Sequence, residues 1–134
     1  MTKHQQNITL WGSSISPYVR KVMVALAEKN LPYTHNEILP TVLLQATGQE
    51  IPQAFTDASP LGKIPAIEID GLQIADSAVI ISYLEKNFAT GTPLHPIDST
   101  EFANALWFER YADTALTVVS YQKIFFEGIV KPNV

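Results

Sequence analysis

Asp70-Gly71 separates two short β-patterned runs, Ile64-Pro65-Ala66-Ile67-Glu68-Ile69 and Leu72-Gln73-Ile74-Ala75. A two-residue loop of this kind is the tightest connection between antiparallel strands, and Gly supplies the positive φ that it needs. The pair reads as a β-hairpin, and the rest of the chain is organised around it. Upstream, Ile8-Thr9-Leu10-Trp11 is a short β-branched and aromatic strand that Gly12 ends. Ser16-Pro17 has the form of a helix start, with Ser at the N-cap and Pro at the first helical position. Val19, Val22, Met23, Leu26 and Ala27 then recur at helical spacing until Asn30 and Pro32 stop the helix. Tyr33 to Leu39 fits a second strand. Residues 40–63 carry Pro40, Gly48, Pro52 and Pro60 and read as a loop with one short helix near Gln49 to Asp57.

After the hairpin, Asp76-Ser77 caps a helix rich in apolar residues: Val79, Ile80, Ile81, Tyr83, Leu84 and Phe88. Gly91-Thr92-Pro93-Leu94-His95-Pro96 is a linker of helix breakers. Ser99 or Thr100 is then placed to cap a long helix running to about Phe126. The order is β-α-β-α-β-β-α, a linker and a long helix. Phe102, Leu106, Trp107, Phe108, Tyr111, Leu116, Val119 and Phe125 cover more than one face of that helix, a pattern that normally means burial on most sides. Core or interface packing is the expected use of its aromatic residues, and a homodimer is the assembly this face predicts.

Composition removes whole classes of function. The 134 residues contain no cysteine, which excludes disulfides, thiolate metal sites and a cysteine nucleophile. A net charge of −4 argues against nucleic acid as the main partner. Charged residues are 16% of the chain, against about 25% in a typical soluble domain. His4, His35 and His95 lack metal-ligand spacing and are expected at the surface, so no metal site is expected. No apolar run is long enough to span a bilayer, and the polar N-terminus lacks the form of a signal peptide, so no membrane partner and a cytoplasmic location are the expectations.

Three local patterns together resemble the cytosolic glutathione S-transferase family: Ser16-Pro17-Tyr18-Val19-Arg20-Lys21, Ser59-Pro60-Leu61-Gly62-Lys63-Ile64-Pro65-Ala66, and Asp76-Ser77-Ala78-Val79-Ile80. The resemblance covers roughly residues 8–88, with the linker and one further helix. It is nearest to the classes whose first helix opens on Ser, zeta, tau and their bacterial relatives. It implies an α/β fold: a thioredoxin-like βαβαββα domain at 7–89 that binds glutathione, a linker at 90–98, and at 99–134 the first part of a helical C-terminal domain. Family members run to about 200 residues or more, so the chain is expected to stop after the first helix of that second domain, without the wall that faces the electrophile.

The resemblance also assigns roles. Ser77 at a helix N-terminus would grip the γ-glutamyl carboxylate of glutathione, the co-substrate, where free N–H groups and the helix dipole favour an anion. Asp76 would pair with the α-ammonium. Simple capping of the helix is the alternative for both, and it is compatible with binding. A cis Ile64–Pro65 peptide would turn the Ile64 backbone toward the cysteinyl unit; an ordinary trans Pro opening the strand is the alternative. Lys63 would reach the glycyl carboxylate or remain a solvated charge, and Gln49 could contact the same end. Ser16 would donate a hydrogen bond to the glutathione sulfur and stabilise its thiolate, assisted by the helix N-terminus. Ser13, Ser14 and Tyr18 compete for that role, and Ser16 could be no more than an N-cap. The implied reaction is attack of the thiolate on a small electrophile. A non-catalytic thioredoxin-fold interaction module or an inactive fragment is the other reading.

Overall fold

The computed structural model describes residues 6–133, and of Asn133 the backbone alone. His4 lies outside the described residues. The described chain divides into two compact units, one ending at Leu94 and one beginning at His95.

The first unit is a four-stranded sheet in the order β2-β1-β3-β4 with helices on its faces. Strand β1 (Ile8–Trp11) leads into helix α1 (Pro17–Glu28), which returns the chain to β2 (Thr34–Asn36). β1 and β2 pair in parallel, with Trp11 opposite Asn36. Two short helices follow, α2 (Thr41–Ala46) and α3 (Gln53–Ala58), where one was expected. Pro40 and Pro52 stand at their N-caps, because a proline next to a helix start has no N–H to leave unsatisfied. Then come β3 (Ala66–Ile69), β4 (Leu72–Ala75) and α4 (Ser77–Asn87). β3 is antiparallel to both neighbours. The hairpin turn lies at Asp70 and Gly71, both with positive φ (49° and 87°).

Strands β2 and β3 are shorter than the sequence suggested. β2 stops at Asn36 because it is an edge strand whose one partner, β1, ends at Trp11. β3 starts at Ala66 and not at Ile64, since Pro65 has no N–H to give to a ladder.

Alternation along β1 and β3 sends Ile8, Leu10, Ile67 and Ile69 into one core with Val19, Val22 and Leu26 of α1 and Ile80, Ile81 and Leu84 of α4. Trp11 points to the opposite face and meets Phe55 of α3, ring centroids 6.0 Å apart. At the far end of this core, Lys29 is buried and ion-paired with Glu85 of α4, whose carboxylate also accepts the Leu94 N–H at 3.1 Å. The linker is tied to the same place: the Thr92 N–H donates to Glu28 O at 2.9 Å and the Thr90 hydroxyl to Lys29 O at 3.0 Å.

The second unit opens with helix α5 (Ser99–Tyr111). Its N-cap is Asp98 and not Ser99 or Thr100. One Asp98 oxygen accepts from Thr100 N at 2.9 Å and from Glu101 N at 3.0 Å, a stronger cap than a hydroxyl one residue later. From Ala112 the helix widens into π-helical segments, Ala112–Leu116 and Val118–Val130. The Thr114, Thr117 and Ser120 hydroxyls donate to carbonyls four or five residues back at 2.6–2.7 Å, competition that loosens the ordinary ladder. Not one residue from Ser99 to Val130 is buried, and Trp107 and Phe108 are 60% and 66% exposed. The aromatic residues stack on one another, Trp107 on Tyr111 and Tyr121 on Phe125. No helix among the described residues is long and apolar enough to cross a membrane.

Candidate functional site

Strand register decides what lies beside what. Asn36, Trp11, Ala66 and Ala75 form one row across the four strands. Everything that leaves the sheet at this row shares one edge: the Gly12–Ser16 loop after β1, Glu37 after β2, Ile64–Pro65 before β3, and Asp76–Ser77 after β4. Helices α1 and α4 both begin here, so two positive dipole ends face the same edge. Three sequence patterns separated by tens of residues thus meet in one place.

The loop after β1 is held close to the segment before β3. Gly12 has φ 146°, and a Cβ placed on it would lie 2.5 Å from a Val19 methyl and 3.2 Å from the Ile64 Cβ. Only a residue without a side chain lets these segments approach. Ser16, buried, is the N-cap of α1, with Pro17 at the first helical position as expected. Its Oγ accepts the Val19 N–H at a long 3.5 Å. A hydroxyl that accepts in this way keeps its own hydrogen to donate. The neighbouring serines differ. The Ser13 and Ser14 hydroxyls both donate to Glu37, that of Ser14 at 3.4 Å. Tyr18 is half-buried on the first turn of α1, and Arg20 is exposed.

The Ile64–Pro65 peptide is cis. Pro65 is buried, and the Ile64 side chain packs against the core. The Ile64 N–H and C=O have no partner among the described residues. Lys63 is exposed, and its ammonium makes no ion pair among the described residues; its carbonyl accepts the Ser59 hydroxyl at 2.7 Å. Gln49 lies on the loop between α2 and α3, with its amide on the Thr47 hydroxyl at 3.1 Å, and nothing brings it to the edge.

Asp76 is the N-cap of α4. One of its oxygens accepts from Ala78 N at 3.0 Å and Val79 N at 3.3 Å. Its φ of 78° is a strained value for a residue with a side chain. Two of the four N–H groups that a helix start leaves open are satisfied in this way. The buried Ser77 keeps its N–H and hydroxyl without a partner among the described residues. Capping and an open donor pair therefore coexist, on adjacent residues.

Glu37 was not singled out from sequence, and nothing in its local pattern marks it. The parallel pairing of β1 with β2, extended by Gly12 N–H to Asn36 O at 3.0 Å, carries it beside the loop. It accepts the Ser14 N–H at 2.8 Å and lies 3.4 Å from the His35 ring. The Ser13 hydroxyl bond is the main cause that holds the Glu37 carboxyl below its ordinary value; burial opposes it, and Ser14 and His35 add to the lowering. His35 is part-exposed on the edge strand, and its Nε2 is bonded to Gly12 O at 2.8 Å. No cluster of three or more metal-ligating side chains occurs among the described residues.

Known proteins resemble the chain in sequence and in fold. Residues 10–93, more than half of the chain, match the family model for the glutathione S-transferase N-terminal domain. The chain belongs to the glutathione S-transferase family. It is 38% identical over 66 residues to a maleylacetoacetate isomerase of Rattus norvegicus, covering 49% of this chain and 29% of that one. To a glutathione S-transferase of Hyoscyamus muticus it is 32% identical over 125 residues, 92% of this chain and 56% of the relative. The solved structure of glutathione transferase E6 from Drosophila melanogaster superposes with a TM-score of 0.74 at 25% identity, over 94% of this chain and 55% of that chain. The chain thus spans less than two thirds of the length of the curated relatives that it matches. The mixed α/β sheet with its helical continuation is the thioredoxin-like fold of this family, as the sequence patterns implied.

Proposed function

We propose that this chain binds reduced glutathione along the sheet edge and lowers the pKa of its thiol for attack on small electrophiles. The observation that carries the reading is the meeting of two helix N-termini and the unpaired Ile64 backbone at one edge, in a chain of this family. The Ser77 N–H and hydroxyl take the γ-glutamyl carboxylate. Asp76 takes the α-ammonium with the oxygen it does not use as a cap. The Ile64 N–H and C=O, in the Ile64–Pro65 segment, pair with the cysteinyl unit as one more strand would, and Lys63 reaches toward the glycyl carboxylate.

Ser16 is the catalytic residue of this proposal. Its hydroxyl hydrogen is free to bond sulfur, while Ser13 and Ser14 are engaged by Glu37, which favours Ser16 over both. Tyr18 stands as the second candidate donor. A hydrogen bond and a helix N-terminus both favour the charged form of sulfur, and each pKa unit of lowering corresponds to about 1.4 kcal/mol. No covalent enzyme intermediate is needed.

Residues 7–89 are assigned as the glutathione-binding domain, 90–98 as the linker and 99–134 as part of a helical domain. A homodimer is the proposed assembly and the cytoplasm the proposed location. A docking module without catalysis is favoured by one observation, the apolar exposure of the second unit. Glutathione separates the readings. Calorimetry should show saturable binding of reduced glutathione, and ultraviolet titration of the complex should give an apparent thiol pKa below the free value of about 8.5. Ser16→Ala should raise that pKa by about one unit while affinity falls little. Absence of glutathione binding by the folded chain would favour the docking module. A turnover assay with a generic aromatic electrophile then tests the transfer itself.

A further inference from the structure

We infer that Glu37 is a positioning residue for Ser16, and that its carboxylate sets the shape of the loop from which the serine reaches sulfur. The inference rests on the proposed role of Ser16 in thiol activation. Glu37 stands on the chain leaving β2, not on the loop itself, and it accepts from three donors on that loop: the Ser14 N–H at 2.8 Å, the Ser14 hydroxyl at 3.4 Å and the Ser13 hydroxyl. The loop then closes on itself, with the Ser16 N–H on Ser13 O at 2.9 Å and the Ile15 N–H on the Ser13 hydroxyl at 3.4 Å. A chain of bonds therefore runs from Glu37 through Ser13 to Ser16. From the same side His35 holds Gly12 O, so two residues of one edge strand and its extension grip both ends of Gly12–Ser14. His35 is the charged or titratable group that faces the Glu37 carboxylate, at 3.4 Å.

The arrangement has a cost that makes it testable. A carboxylate near the site opposes formation of a thiolate, so as a bare charge Glu37 would raise the thiol pKa. As a clamp on the Ser16 loop it lowers it. The two roles have opposite signs. Glu37→Ala removes both charge and clamp; Glu37→Gln removes the charge but keeps an oxygen that accepts the Ser14 N–H. Because Glu37 is 54% exposed, neither change is expected to unfold the chain, and thermal melting checks this.

The readouts are the apparent thiol pKa of bound glutathione and the hydrogen-exchange protection of the Ser14 and Ser16 amides, with Ser16→Ala measured alongside. The expected result is that Glu37→Ala loses amide protection and raises the thiol pKa by about half a unit to one unit, a several-fold loss of thiolate at neutral pH. Glu37→Gln should restore most of the protection and return the thiol pKa to the wild-type value or below. A thiol pKa that is unchanged or lower in Glu37→Ala, while Ser16→Ala still raises it, overturns the positioning role and leaves the Ser16 reading standing. If Ser16→Ala leaves the thiol pKa unchanged, the Ser16 reading fails and the positioning role of Glu37 fails with it, whatever the amides show.

Discussion

Lys29→Met is the substitution whose cost the structure sets most directly. Lys29 is 3% exposed at the C-terminus of α1, and its ammonium meets a carboxylate oxygen of Glu85, itself 25% exposed on α4. Removing one partner of a fully buried pair costs about 3–5 kcal/mol, because the other charge is left without compensation. Glu85 is neither fully buried nor left bare, since the Leu94 N–H remains bonded to it at 3.1 Å. Met also replaces most of the apolar stem of Lys, so little packing is lost. The expected loss is about 2–3 kcal/mol, at or just below the lower limit for breaking a fully buried pair. For a unit of this size that corresponds to a fall in Tm of roughly 8–24 °C. Glu85→Leu should cost at least as much, because it strands the more deeply buried charge. The double variant should recover part of the loss, so that a cycle of urea-unfolding free energies gives a coupling of about 1 kcal/mol or more. The pair also joins the C-terminal halves of the two helices whose N-termini form the proposed glutathione edge, so on that proposal glutathione affinity should fall in Lys29→Met even where the fold persists. A loss under about 1 kcal/mol, with no coupling in the cycle, would refute the view that this ion pair fastens α1 to α4.

Other perturbations have equally definite outcomes. Gly12→Ala sets a Cβ 2.5 Å from a Val19 methyl at φ 146°, and should weaken glutathione binding with a stability loss of about 1–3 kcal/mol, read by calorimetry and urea unfolding. Gly91→Ala would bring a Cβ against the Glu28 carbonyl at φ 72°, a backbone clash away from the candidate site; stability should drop while the thiol pKa of the bound tripeptide stays constant. The Glu37 carboxyl is held below its ordinary value of 4.5, so its contribution to loop order is complete above that pH and is lost as pH falls through the lower folded value. Carbon-13 titration of the Glu37 carboxyl should therefore show a midpoint below 4.5, and a midpoint at or above it would remove the clamp. The exposed aromatic face of α5 should bind an environment-sensitive dye or drive self-association with rising concentration; sedimentation as a clean monomer without dye binding would count against the proposed dimer.

Local chemistry was readable from sequence wherever a residue acts on its own neighbours. Ser16-Pro17 announces a helix start, Asp70-Gly71 a hairpin and Asp76 a cap, because each works through backbone groups one to three residues away. What failed was anything decided by a partner distant in sequence. Tyr33 to Leu39 has the pattern of a seven-residue strand, yet three residues pair, because an edge strand ends where its one neighbour turns away. Asp98 displaced Ser99 and Thr100 as cap because a carboxylate one residue earlier reaches two N–H groups. The aromatic residues of α5 carried a true signal of apolar surface, but periodicity cannot say what covers it.

The candidate site shows the same division. Ser16, Ile64, Pro65, Asp76 and Ser77 can each be picked from a local pattern, and the register of β1, β3 and β4 then brings them to one edge. Glu37 cannot be picked, since an acidic residue after a short strand is commonplace and its meaning arises only when β2 pairs with β1. The site therefore has two layers with different origins in the sequence. Groups proposed to touch glutathione are backbone donors, a cap and a hydroxyl, all fixed by helix starts and a proline. The group proposed to select among the three serines of the loop comes from the chain that leaves another strand. Three hydroxyls within four residues could each serve sulfur; a carboxylate that occupies Ser13 and Ser14 leaves Ser16 with a hydrogen to give. If Ser16 serves sulfur as proposed, the chemistry of the thiol depends on a hydrogen-bond competition that Glu37 decides, and the choice of donor is a tertiary property that the loop sequence does not contain.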